Sequence, residues 1–369
     1  MDGALRASPP PDGSRAGDGD GPAVLLENVW KIFGDRAGEA LKAARDEGLP
    51  KSEILRDLHC VVGVADAGIR VERGEIFCVM GLSGSGKSTL LRHVNRLLEP
   101  TAGRVLVQGR DVTAMNAGQL RDLRARRIGM VFQNFALLPH RNVRDNVALP
   151  LEIQDVALNE RFDLAEAALE KVGLSGWGDR FPASLSGGMQ QRVGLARALA
   201  ADPPILLMDE PFSALDPLIR RQLQDQFLHL SHAMQKTAVF VTHDLDEAIR
   251  IGNRIAIMKD GVIVQTGTPE DIVAHPRDDY VASFVANISR LHVVHAAGIM
   301  EPVAAFRGRA PGIPDIEAFP RARADMTIAE LIDLAAGGTD PLAVTDGEGR
   351  TVGVIDNRRL LTGIRGDAR

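Results

Sequence analysis

The run Gly81-Leu-Ser-Gly-Ser-Gly-Lys-Ser88 constrains this chain more than any other feature. It follows the apolar stretch Glu75–Met80 and opens a stretch of helical character, Ser88–Leu98. The spacing G-x-x-x-x-G-K-[ST] between a buried strand and a helix describes a phosphate-binding loop. Its glycines, Gly81, Gly84 and Gly86, let the backbone curl so that several amide groups point inward at phosphate oxygens. Leu82, Ser83 and Ser85 complete this cradle, and the helix that starts here adds its positive dipole end. Lys87 can reach the β- and γ-phosphates of a nucleotide. The Ser88 hydroxyl can ligate Mg²⁺, with Thr89 in support. The bland alternative, a glycine-rich strand–helix turn with a chance Lys-Ser, does not account for strand, loop and helix together.

A second apolar run, Ile205-Leu-Leu-Met-Asp209-Glu210, ends in two carboxylates. A parallel strand buried on both faces reads this way, and its carboxyl end is where such sheets bind ligands. Asp209 can hold Mg²⁺, and Glu210 can take a proton from an attacking water as general base. An exposed acidic turn after a strand gives the same pattern; the phosphate loop upstream favours the catalytic reading.

These motifs fall in a chain of ordinary globular composition: 369 residues, 45% hydrophobic, 25% charged and formal net charge −6. The length suits two domains, and there is no basic excess to suggest a nucleic-acid partner. Cys60 and Cys78 have no metal-type spacing and form no disulfide framework. No stretch approaches the roughly 18 apolar residues that span a bilayer, so membrane association would run through a partner. Residues 1–22, rich in Pro, Gly, Asp and Arg, read as a disordered tail. From 23 to 285, apolar strands (Ala23–Val29, Glu75–Met80, Arg104–Val107, Ile128–Phe132, Ile205–Asp209, Ala238–Thr242, Arg254–Met258) alternate with helices (Ser88–Leu98, Arg161–Val172, Gly188–Ala201, Pro217–Met234). That alternation predicts an α/β fold with a parallel sheet covered on both faces. Residues 34–63 form a charged, helix-prone insert, and Lys259-Asp-Gly-Val262 is a hairpin turn. Residues 286–369 change texture: a strand-like Leu291–His295, a Pro/Arg-rich stretch at 306–323, a helix Thr327–Ala336, strands Pro341–Thr345 and Thr351–Ile355 around an Asp-Gly-Glu-Gly turn, and a last helix.

Leu185-Ser-Gly-Gly-Met-Gln-Gln-Arg192 opens another helix. Ser186 is a good N-cap, and Gly187 and Gly188 leave amide groups open at a positive dipole end, a second anion site. Together with the phosphate loop and the Asp-Glu strand end, LSGGMQQR resembles the ATP-binding cassette (ABC) ATPases over roughly residues 23–275. Met189 stands where the commonest form of that motif has Gln. The resemblance implies a parallel-sheet core, an antiparallel β subdomain and a helical subdomain. It implies ATP and Mg²⁺ bound between two domains paired head to tail, each capping the other's nucleotide through Ser186, Gly187 and Gly188. It implies that Gln133 contacts Mg²⁺ or the attacking water, that Asp216 lies on the loop crossing the dimer interface, and that His243 bonds the γ-phosphate. It also implies that Phe33 stacks on adenine, with Trp30 as the alternative. Structural readings stand beside these: a surface amide for Gln133, a helix N-cap for Asp216, a structural imidazole for His243 and core packing for Phe33.

A single cassette without membrane spans resembles the motor of an importer whose permease is another chain. It would sit as a homodimer on the cytoplasmic face of the membrane and be served indirectly by a substrate-binding protein. The insert, the tail and the wording KIFG, MGLSGSGKSTL and FALLPHRNV resemble the ATPase subunits of glycine betaine/proline/choline importers. The tail resembles one CBS motif, either regulatory or a plain α/β appendage. Motors for another amino acid or solute, and a soluble ABC ATPase acting on nucleic acid or ribosomes, are the rival readings.

Overall fold

The computed structural model describes residues 21–213, 215–309, 316–338 and 340–366, so the expected disordered tail lies outside them except for Gly21 and Pro22. Internal contacts divide the chain into two units, meeting at Thr266 and Gly267.

The first unit holds two sheets. β1 (Val24–Phe33) lies between β2 (Val61–Val71) and β4 (Ala102–Val107), with β5 (Arg110–Asp111) at the edge. β1 pairs antiparallel with both β2 and β4, and β4 pairs antiparallel with β5. The second sheet runs β10-β9-β3-β8-β7-β6, from β3 (Ile76–Met80), β6 (Ile128–Val131), β7 (Ile205–Asp209), β8 (Thr237–Thr242), β9 (Arg254–Lys259) and β10 (Val262–Gly267). Its strands β6 to β9 and β3 pair in parallel. β3, β7 and β8 are buried at every position, which is why their sequences are apolar runs rather than alternations.

Two helices, α1 (Ala37–Arg45) and α2 (Lys51–Leu58), form the expected insert and bury Ala40, Ala44 and Ile54 with Trp30, Ile32 and Cys60. Helix α3 (Lys87–Val94) lies between the sheets, and Leu90, Leu91 and Val94 join one core with Val24, Val105, Leu207 and Val239. Beyond α4 (Ala117–Arg126), helices α5 (Val143–Ile153), α6 (Leu158–Lys171) and α7 (Gly187–Ala200) pack on one another as a helical subdomain. Helices α8 (Pro217–Ala233) and α9 (Leu245–Ile251) complete the unit.

The second unit begins with α10 (Pro269–Ala274), α11 (Asp279–Val285) and α12 (Ala296–Ile299). Its sheet runs β11-β14-β13-β12, from β11 (Glu301–Pro302), β12 (Arg321–Arg323), β13 (Leu342–Thr345) and β14 (Thr351–Ile355), with helices α13 (Val303–Arg309), α14 (Ile328–Ala335) and α15 (Asn357–Arg365). The predicted helix, strand–turn–strand and final helix are present. Leu291–His295 is not a strand: Arg290–His292 is a turn of 3₁₀ helix, Val293 and Val294 both hydrogen-bond back to the Arg290 carbonyl, and His295 alone bridges to Thr327. Val293 and Val294 are buried there without a sheet neighbour. The unit also starts before residue 286. Glu270 accepts from the His295 amide at 2.9 Å, and Arg290 donates to the carbonyls of Val273 and Gly363.

Candidate functional site

The carboxyl ends of β3, β6, β7 and β8 bring together residues that are far apart in the sequence. β3 delivers the phosphate loop. An added Cβ at Gly86, where φ is +99°, would stand 2.3 Å from the Gly63 carbonyl, so only glycine fits that approach. The buried Ser85 Oγ has no hydrogen-bond partner. An orphaned hydroxyl inside such a cradle fits a loop shaped to receive phosphate oxygens.

Lys87 opens α3 and is buried. Its Nζ donates to the carbonyls of Gly81 at 2.9 Å and Leu82 at 3.0 Å and lies 3.9 Å from Glu210. Burial holds this ammonium below the usual lysine range, while Glu210 and Asp209 pull it upward. Ser88 Oγ donates to Asp209 Oδ1 at 2.6 Å. These adjacent hard oxygens are the donor set that suits Mg²⁺. Thr89 follows in the first turn of α3, half-buried.

Glu210 follows the end of β7 at φ 46° and accepts from two directions. Gln133 Nε2, past the end of β6, donates to Oε2 at 3.3 Å, and His243 Nδ1, past the end of β8, lies 3.1 Å from the same oxygen. With Nδ1–H donating there, the Nε2 of the exposed His243 is free for a substrate. One carboxylate is thus addressed by a lysine, a glutamine and a histidine from three other strand ends.

Phe33, at the end of β1, is 39% exposed and its ring edge lies against Gly63, the residue that also crowds Gly86. Trp30 is buried in the core beneath the insert, so it offers no stacking face. Ser186 caps α7, accepting from the Met189 amide at 3.4 Å, and Gly188 lies against Ile219. Asp216 caps α8, accepting from the Ile219 amide at 3.1 Å. Ser186, Gly187, Gly188 and Asp216 lie outside the cluster around Glu210, on the starts of α7 and α8.

The ABC transporter family profile matches residues 64–213. The glycine betaine/carnitine transport ATP-binding protein GbuA of Listeria monocytogenes is 42% identical over 93% of this chain and 98% of its own length. This chain belongs to the ABC transporter ATP-binding proteins. The trimethylamine N-oxide transport system ATP-binding protein TmoW of Ruegeria pomeroyi is 44% identical, over 92% of this chain and 96% of that one. Among solved structures, the ATP-binding cassette MJ0796, dimeric and in a post-hydrolysis state bound to ADP and Pi, is 32% identical. It covers 67% of this chain and 98% of its own length at a TM-score of 0.57. The ABC family binds ATP, and this ABC subunit is a transporting ATPase. No helix among its described residues is long and apolar enough to cross a membrane.

Sequence reading missed three residues that hold the site of this ABC subunit. Arg92 donates to Asp209 Oδ2 at 3.0 Å, opposite the oxygen that takes Ser88. Its place four residues after Ser88, on the same helix face, was the available signal. The buried Arg197 of α7 donates to the carbonyls of Phe135 and Ala136, both at positive φ, in the segment after Gln133. Asn146 holds Leu138 through both its amide and its carbonyl. The Arg197 contacts join segments that only the folded chain brings together.

Proposed function

We propose that this chain is the ATP-driven motor of an importer for quaternary-amine osmolytes, such as glycine betaine, carnitine or choline. The observation that carries the motor reading is the convergence of Lys87, Gln133 and His243 on Glu210. The solute class rests on the relatives, which are transport proteins for glycine betaine, carnitine and trimethylamine N-oxide.

In this reading Lys87 and the loop Gly81–Gly86 hold the β- and γ-phosphates, and Phe33 stacks on the adenine. Mg²⁺, held by Ser88 and Asp209 with Gln133 nearby, would neutralise phosphate charge when bound. Arg92 orients Asp209 so that Oδ1 faces Ser88. Glu210 takes the proton of the water that attacks the γ-phosphorus. His243 donates through Nδ1 to Glu210 and aims Nε2 at the departing γ-phosphate. Positioning and charge stabilisation carry the reaction, as phosphoryl transfer requires.

The open amides at Ser186, Gly187 and Gly188 are a second anion site at a distinct helix start, so two copies paired head to tail would each complete the other's nucleotide. Asp216 would lie at that junction. Permease subunits would anchor the dimer to the cytoplasmic face of the membrane, with a substrate-binding protein delivering the solute. Residues 286–369, within the Gly267–Arg369 unit, are a CBS-like regulatory or accessory region.

The test is reconstitution with the cognate permease and binding protein, followed by ATP-driven uptake of glycine betaine, choline and trimethylamine N-oxide against proline and histidine. Uptake of the first three, lost in Glu210→Gln, is the expected result. Coupling to histidine alone would leave the motor in place and discard the solute class.

A further inference from the structure

Lys51 is the first residue of α2, where the positive end of a helix disfavours a cation. Its ammonium is engaged outside the helix instead. Nζ donates to the Val62 carbonyl on β2 at 3.3 Å and, in a shorter contact, to the Asp260 carbonyl in the β9–β10 turn. That carbonyl belongs to the same peptide unit as the Gly261 N–H, which donates to the Ser85 carbonyl at 2.8 Å. The Ser85 carbonyl in turn shares its peptide unit with the N–H of Gly86, the last amide of the phosphate loop before Lys87. No peptide here is cis, and a trans unit points its C=O and N–H in opposite directions. A cation and two peptide units therefore form one chain of hydrogen bonds ending at the phosphate cradle, and each bond in such a chain polarises the next.

The turn is fixed for this purpose. The Gly261 carbonyl accepts from the Ala65 amide at 2.8 Å. A Cβ at Gly261 would come within 2.7 Å of the Gly63 carbonyl and 2.9 Å of Lys51 Nζ. Burial draws the Lys51 ammonium below its ordinary range, with Asp260 opposing.

We propose that Lys51 is a positioning residue for the nucleotide: through the Asp260–Gly261 peptide it strengthens the hold of the Gly86 amide on phosphate, and so makes the helical insert part of the nucleotide site. This rests on the nucleotide reading of residues 81–88.

The test is calorimetric titration of the full chain with ATP, GTP and inorganic tripolyphosphate, for Lys51→Gln, which keeps a donor but drops the charge, and Lys51→Arg, which keeps the charge. Lys51→Gln should weaken ATP and tripolyphosphate alike by about tenfold, leave the ATP/GTP ratio unchanged, and raise KM while kcat stays within about twofold. Lys51→Arg should bind like the natural chain. A destabilised variant loses binding-competent molecules rather than affinity, so the pattern across the three ligands still decides. Wild-type binding by Lys51→Gln, or weakening of ATP without tripolyphosphate, overturns the proposal. Lys87→Ala is the control: binding that survives it overturns the nucleotide reading itself.

Discussion

Glu210 combines a left-handed backbone, φ 46°, with a carboxylate reached by groups from three other strand ends. A non-glycine residue held there stores strain, and such strain collects at working sites. Its amide donates to the Val241 carbonyl at 3.0 Å, so the neighbouring strand fixes the conformation. Glu210→Gln should keep nucleotide binding and lower steady-state phosphate release by about 100-fold or more, the usual weight of a general base; near-normal release would remove that role. A second residue gives a pH test. Glu247, buried on α9, accepts from Gln224 at 2.9 Å, and burial pushes its carboxyl above the usual range. The folded state thus binds its proton more tightly than the unfolded chain, and stability falls as pH rises from the unfolded value through the folded one. Glu247→Gln should raise the unfolding temperature at pH 8, with the gain shrinking as pH drops through the raised value. A gain equal at pH 4 and pH 8 would contradict that account. The placement of Lys87, Ser88, Asp209 and Glu210 beside the ends of buried strands was legible from short motifs, because loop spacing and strand ends carry their own geometry. The meeting of Gln133 and His243 on one oxygen was not, since it depends on strand order.

The phosphate loop is an element whose shape depends on what it touches. Gly86→Ala would drive a Cβ into the Gly63 carbonyl at positive φ. We expect a stability loss of about 1–3 kcal/mol and loss of measurable ATP binding, read by denaturant unfolding and titration. Retained affinity would show that loop and β2 can separate. That same β2, Val61–Val71, was passed over in the sequence because the charged insert was read through residue 63. The buried strands of the parallel sheet were found readily because they are unbroken apolar runs flanked by helices. Leu291–His295 failed for the converse reason: five residues rich in valine look alike whether a sheet or a turn buries them.

At the scale of the molecule, every residue assigned to the reaction lies in the Met1–Thr266 unit. Residues 1–266 should therefore hydrolyse ATP, whereas a chain cut after residue 285 should aggregate, because it keeps Ile272, Val273 and Val281 without the partners that bury them. Light scattering and phosphate release on the two fragments decide this, and equal behaviour would place the boundary elsewhere. Unchanged salt dependence of transport after removal of residues 267–369 would leave the second unit no regulatory part. The order of the central sheet has a consequence in time. β3 is flanked by β8 and β9, both of which the ribosome makes long after it. The phosphate loop thus leaves the ribosome well before the strands that brace it and the acid and histidine that would use it. An unfinished chain carries the cradle without the chemistry, so the subunit cannot turn over ATP until β8 and β9 have been made.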